Sequence, residues 1–162
     1  MQSPHQLILL RHAKTEAGHD SMDDHERRLT DRGMRDAASV GRWLAEQDCI
    51  PEAILCSTAT RVQQTVEGII GCWNREVPIS SDRQLYLASP EKIVTYIQTD
   101  APEVSRLLVV GHNPGLEILA GHYSGACGHF PTAAALVLQF DLSAWTQLTL
   151  SSNPEVIGSR RI

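Results

Sequence analysis

A three-layer α/β/α sandwich around a largely parallel sheet is the fold class this sequence predicts, and two observations predict it. Short apolar runs at Leu7-Ile8-Leu9-Leu10, Ala53-Ile54-Leu55-Cys56 and Leu107-Leu108-Val109-Val110 lack polar alternation, as strands buried on both faces do. Segments with helical spacing of apolar residues lie between them, and strands alternating with helices are the pattern of parallel α/β folds. A length of 162 residues suits one domain, expected over residues 1–162 with a core from about 6 to 142.

The elements follow in order. Residues 13–28 are polar, rich in charge and contain Gly18, a long surface loop of the kind that is often functional in compact domains. Thr30 is expected to cap a helix reaching about Gln47, with Met34, Ala37, Ala38, Gly41, Leu44 and Ala45 on one face. After the second apolar run, Ser57 is expected to cap a helix ending near Cys72. Val77-Pro78-Ile79 reads as a short edge strand, and Pro90 opens a helix through Ile93 and Tyr96 to Ile97. Asn113 is expected to cap a helix that Pro114 starts and that carries Leu116, Ile118 and Leu119. Residues 133–140 form a last apolar strand, and the polar tail from Ser151 is expected to fray. There is no internal repeat or low-complexity segment.

Composition narrows the function. The formal net charge of -5 speaks against a nucleic-acid binder and against anionic membrane surfaces. The four cysteines Cys49, Cys56, Cys72 and Cys127 form no CxxC pair, so zinc-ribbon and thioredoxin readings fail and reduced thiols are expected. Neither a signal-peptide core nor a membrane-spanning stretch is visible, and a cytoplasmic, monomeric protein is expected.

Ligands of parallel sheets bind beyond the carboxyl ends of the strands, and three such ends carry unusual residues. The first run ends in Arg11-His12, the second leads through Ser57 into a helix whose first turn holds Arg61, and the third ends in Gly111-His112-Asn113-Pro114. Two imidazoles and two guanidiniums thus converge with two helix amino ends, which favour an anion. Guanidinium forks match phosphate oxygens, and a neutral imidazole can attack phosphorus to give a covalent intermediate. With that much positive charge in the pocket, no metal and no cofactor are expected.

Arg11-His12-Ala13-Lys14-Thr15 resembles the RHG/RHA signature of the histidine phosphatase superfamily, in its small SixA-type phosphohistidine phosphatase branch. Leu29-Thr30-Asp31-Arg32-Gly33 resembles its LTxxG helix start, and residues 55–65 resemble its LxSPxxRAxQT segment. Val110-Gly111-His112-Asn113-Pro114-Gly115 resembles its VGHNPG turn, and Pro131-Thr132-Ala133-Ala134 its PTAA segment. Ordered motifs over positions 7 to about 140 are far more specific than one RHA triplet. The resemblance implies a phosphoglycerate mutase-like fold, His12 as phosphate-accepting nucleophile, Arg11 and Arg61 as phosphate-binding arginines, and His112 as second pocket histidine. It also matches Arg27 to the arginine of the RPLT segment. Thr15 and Asn113 are further candidates for substrate binding, although ordering of the loop is the preferred role for Thr15. Thr58, Val62 and Arg28 depart from the family pattern, and Arg28 leaves open which of the two adjacent arginines points inward.

The mutase-like branch supplies a general-acid glutamate in a segment ending Leu-x-Glu. The nearest match here is Gln84-Leu85-Tyr86, which has no carboxylate. That gap favours a phosphohistidine substrate, whose imidazole leaves easily, on a protein such as a histidine phosphotransfer domain, unless Asp23, Asp24 or Glu16 replaces the acid. The competing readings are a small-molecule phosphomonoesterase for a sugar or nucleotide phosphate, and a non-catalytic phospho-protein binding module. Buried structural histidines, or metal ligation by His12 and His112, fit less well with two adjacent arginines and no HxH spacing.

Overall fold

The structure, a computed structural model, describes residues 3–126 and 128–161, so Cys127 lies outside the described residues. In chain order the elements are β1 (His5–Arg11), α1 (Asp31–Glu46), β2 (Ala53–Ser57), α2 (Thr60–Ile70), β3 (Ile79–Asp82), α3 (Pro90–Asp100), β4 (Arg106–Gly111), α4 (Gly115–Ser124), β5 (Ala135–Phe140) and β6 (Glu155–Arg160). Single 3-10 turns stand at Asp24–Glu26, Arg83–Leu85 and Trp145–Gln147.

The strands form one sheet in the order β3-β2-β4-β1-β5-β6. β3, β2, β4 and β1 run parallel, β5 is antiparallel to β1, and β6 is antiparallel to β5. The sheet is thus mostly parallel, as the apolar runs imply. Alternate residues of each central strand feed two separate cores. Leu7, Leu9, Leu107 and Val109 pack with α3 and α4, while Ile8, Leu10, Leu108 and Val110 pack with α1 and α2. That is why these strands carry no polar alternation.

Several boundaries differ from the sequence expectation. The tail does not fray: Glu155–Arg160 is an edge strand on β5, fastened by the Arg160 guanidinium donating to the Ser39 carbonyl and hydroxyl. An edge strand is held by its backbone ladder, so it needs no apolar pattern, and Val156 and Ile157 remain exposed. The buried face of α1 runs through Gly33, Ala37, Val40, Gly41 and Leu44, with Met34 and Ala45 exposed. Gly41 decides that rotation, because a Cβ there would stand 2.5 Å from the Ile69 carbonyl of α2. The edge strand expected at 77–79 begins only at Ile79, past the proline that lacks a ladder N–H. The last strand starts at Ala135 rather than 133, after Ala133 at φ 59. The expected caps are also displaced. α2 starts at Thr60 with no side-chain cap, and Ser57 is the last residue of β2. α4 starts at Gly115, outside Asn113 and Pro114, with Ile118 exposed. Thr30 and Ser89 do cap α1 and α3, through Gly33 and Lys92 N–H groups.

Cys49 and Cys56 are buried free thiols and Cys72 is a half-buried one. Among the described residues no helix is long and apolar enough to cross a membrane. Deletion of residues 155–162 should lower the thermal midpoint by about 4 °C or more, since it uncovers the edge of β5, and a midpoint unchanged in differential scanning calorimetry would show that β6 adds nothing.

Candidate active site

The parallel register places Arg11 beside Gly111 and Cys56 beside Val110, so three strands end together at the carboxyl edge of the sheet. One residue further on, His12 N–H donates to the Gly111 carbonyl at 3.1 Å, and the His12 and His112 ring centroids lie 5.5 Å apart. Arg61, in the first turn of α2, joins them, and Thr65 one turn later ties the two segments by accepting from Ala13 N–H at 3.0 Å. The sequence-expected quartet Arg11, His12, Arg61 and His112 is therefore one cluster.

His12 is buried, and its Nδ1 lies 2.8 Å from the Ala13 carbonyl oxygen. A carbonyl only accepts, so Nδ1 carries the hydrogen and Nε2 of the neutral ring keeps its lone pair. Burial pushes the His12 pKa down to about 4, reinforced by the charges of Arg61, Arg11 and Arg27 and opposed by the Ala13 bond. Burial, with Arg61 and His12, pushes His112 down to about 3. Both imidazoles are therefore neutral near pH 7, and His112 does not carry the proton that would add charge to the unliganded pocket. His112 Nε2 pairs with Ser57 Oγ at 2.8 Å, a buried partner that the sequence reading treated only as a cap.

Three donor atoms near His12 are buried without a hydrogen-bond partner among the described residues: Arg11 Nε, Arg61 Nε and, in its Nδ1–H form, His112. Such atoms are rare and costly, and an anion is a chemical match for them. Arg11 is further held by an Nη1 bond to the Phe130 carbonyl at 3.3 Å.

The loop residues sort clearly. Arg27 points inward: Nη1 donates to Asp24 Oδ1 at 3.0 Å, Nη2 to Thr15 Oγ1 at 2.6 Å, and Nε to the Glu16 carbonyl at 3.2 Å. Arg28 is exposed. Thr15 accepts from Arg27 and pairs across the loop with Leu29, which is the loop-ordering role. The Asn113 Nδ2 donates to the Phe130 carbonyl at 2.8 Å and to Glu117 at 3.2 Å, which ties it to the segment at Phe130, while its Oδ1 is buried without a hydrogen-bond partner among the described residues.

Asp24 and Tyr86, which the sequence offered as a candidate acid and as the residue in the place of the missing one, are joined to each other beside the cluster, a pairing that spacing did not signal. The Tyr86 hydroxyl donates to Asp24 Oδ2 at 2.5 Å, and its ring stands edge-on to His112 at 5.3 Å and to His25 at 5.0 Å. Asp24 also accepts from Arg61, at 2.7 Å through its carbonyl and 3.0 Å through Oδ2. The Tyr86 hydroxyl, with Arg27 and Arg61, holds the Asp24 carboxyl well below the usual carboxylate range. Among the described residues no three His, Cys, Asp or Glu side chains are grouped to hold a metal.

Comparison with known proteins agrees with this geometry. Residues 7–86 match the model of the histidine phosphatase superfamily (branch 1). The uncharacterised Mycobacterium leprae protein ML1117 is 32% identical over 158 residues, covering 88% of this chain and 94% of that one. This chain belongs to the histidine phosphatase superfamily. Solved structures of SixA-type proteins are similar to it. A protein assigned as phosphohistidine phosphatase SixA from Agrobacterium tumefaciens is 25% identical, with a TM-score of 0.83 over 99% of this chain and 100% of that one. The fold also matches that of the protein histidine phosphatase SixA complexed with tungstate, at 24% identity, a TM-score of 0.76 and 95% of each chain. The phosphoglycerate mutase-like fold is thus present, and membership of the superfamily supports phosphatase activity.

The depressed histidine pKa values have a sign that can be measured. The unfolded chain takes up protons at these rings near 6.5, whereas the folded chain does so only near 4 and 3. Their neutrality therefore leaves stability intact above 6.5 and erodes it as pH falls toward 4. In a nitrogen-15 NMR titration the His12 ring should remain the Nδ1–H tautomer down to about pH 5. A midpoint above pH 6 for His12 would contradict the site.

Proposed function

We propose that this chain is a phosphohistidine phosphatase that acts on a phosphorylated protein, with a histidine phosphotransfer domain as the expected class of partner, through a covalent phosphoryl intermediate on His12. The observation that carries the proposal is the Nδ1–H bond of His12 to the Ala13 carbonyl, which leaves Nε2 unprotonated beside unpartnered Arg and His donors.

In the first step His12 Nε2 attacks phosphorus and the substrate P–N bond breaks. The substrate reacts with its ring protonated on the nitrogen that does not bear phosphorus, so the departing imidazole keeps that hydrogen and leaves neutral, and the enzyme need not supply a proton. In the second step water attacks the phosphoryl group, the His12 P–N bond breaks, and both water protons leave with the phosphate. His12 returns neutral with Nδ1–H still on Ala13. Arg11 and Arg61 hold the equatorial oxygens throughout, where the transition-state charge resides.

The rim supports this choice of leaving group. Tyr86 stands at the mouth with its hydroxyl committed to Asp24, and Asp24 is ionised between two guanidiniums and that hydroxyl. Asp23 caps the 3-10 turn through His25 N–H, and Glu16 is exposed. Asp24, held ionised, offers no proton for an alkoxide.

A leaving-group series tests the reading. The ratio of kcat/KM between a phosphohistidine peptide and an alkyl phosphate such as phosphoserine should be on the order of 10² or more, the lower range for a lost general acid. A flat dependence with fast alkyl-ester hydrolysis would hand the site to small phosphorylated metabolites. Arg61→Ala should cut the rate by about 10² or more, against about twofold or less for the exposed Arg28→Ala, and equal effects would misplace the pocket.

A further inference from the structure

Arg61 is 3% exposed, and a guanidinium that deeply buried needs a counter-charge. Asp24 supplies it from the loop between β1 and α1, 37 residues away in sequence. Its carbonyl and its Oδ2 take one hydrogen bond each from Nη1 and Nη2 of Arg61, and the Nε that remains is buried and without a partner. The carboxylate is itself fixed from two further directions, by the Tyr86 hydroxyl at 2.5 Å and by Arg27 Nη1 at 3.0 Å. The turn that carries it is fastened to α2 and to the mouth of the pocket. His25 Nε2 pairs with Thr58 Oγ1 at 2.9 Å, its ring packs on Tyr86, and Thr60 donates to Glu26.

We propose that Asp24 is a positioning residue for the phosphate pocket, which grips both Nη groups of Arg61 so that the guanidinium is fixed before the phosphoryl group arrives. The proposal rests on the phosphatase reading of the site. It has a cost built into it. A carboxylate bonded to the phosphate-binding arginine repels the incoming anion and occupies donors that a phosphate could use, so binding of the ground state is weakened. A guanidinium that needs no rearrangement serves the transition state better, so turnover gains. Asp24 therefore acts in opposite directions on affinity and on kcat, which a merely structural support does not do.

Asp24→Asn keeps the shape and removes the charge. Calorimetric titration with inorganic phosphate should show a Kd tightened by about threefold or more, while kcat on a phosphohistidine peptide falls by about tenfold or more. Asp24→Glu keeps the charge one methylene out of place, so its phosphate Kd should stay near that of the wild type while kcat remains low. Tyr86→Phe keeps the ring and the Asp24 charge but releases the carboxylate; its kcat should fall with no loss of thermal midpoint, and it carries the test should Asp24→Asn fail to fold. Weaker phosphate binding together with lower kcat in Asp24→Asn would reduce Asp24 to a structural support, and unchanged values would make it a surface charge; either result overturns the proposal. The titration needs no turnover. A wild type that binds phosphate but does not hydrolyse phosphohistidine sinks the phosphatase reading, and the Asp24→Asn shift in Kd then judges Asp24 by itself.

Discussion

Parallel pairing of β1 with β4, which sets Arg11 beside Gly111, decides where every chemically active group of this protein stands. A slip of one residue would turn each side chain of β1 to the opposite face, exchanging Leu7 and Leu9 for Ile8 and Leu10 between the two cores. With the register as it is, the first residue past each strand is a histidine, and the two rings face each other across the edge of the sheet. β2 is registered on β4 in turn, which delivers Ser57 to His112 and starts α2 so that Arg61 reaches the same place. The tight approach of Gly115 to the Ala88 carbonyl, 1.9 Å from where a Cβ would be, then seats the segment next to Tyr86 against the start of α4.

Charge is the second constraint. The protein is acidic overall, yet it buries Arg61 completely and Arg11 in part beside two imidazoles. Burial first, then Arg61, keeps both imidazoles neutral, and Arg11 adds to this at His12, so the groups that would hold a phosphate also keep the His12 lone pair free. Among the described residues Arg11 Nε, Arg61 Nε and His112 Nδ1 have no partners, a loss of stability that a packed core would avoid and that functional sites commonly carry. Asp24 meets the charge of Arg61 through its two Nη groups and leaves those three atoms as they are.

How much of this could be read from the sequence depended on how local the cause was. The central strands were legible because burial on both faces forces continuous apolar runs, and the quartet was legible because register puts strand-end residues together. β6 was not, since a backbone ladder at an edge asks little of side chains. The caps at Ser57 and Asn113 were misplaced for a related reason: both side chains are used in tertiary bonds, to His112 and to the Phe130 loop, which local propensity does not register. The grip of Asp24 on Arg61 spans the loop and two secondary-structure elements, and nothing in the spacing of a polar loop singles out one acid among several. The same folding resolved the choice between the adjacent arginines, because only Arg27 meets Thr15, Glu16 and Asp24.

The central claim is that His12 Nε2 carries the phosphoryl group, and rapid-quench trapping tests it most directly. Brief mixing with a phosphohistidine peptide labelled in phosphorus-32, quenched in alkali and digested, should give an acid-labile, alkali-stable label on the peptide that contains His12, and no label in His12→Ala. Label on another residue, or full turnover by the wild type with no labelled enzyme at any quench time and undiminished turnover by His12→Ala, would contradict the account.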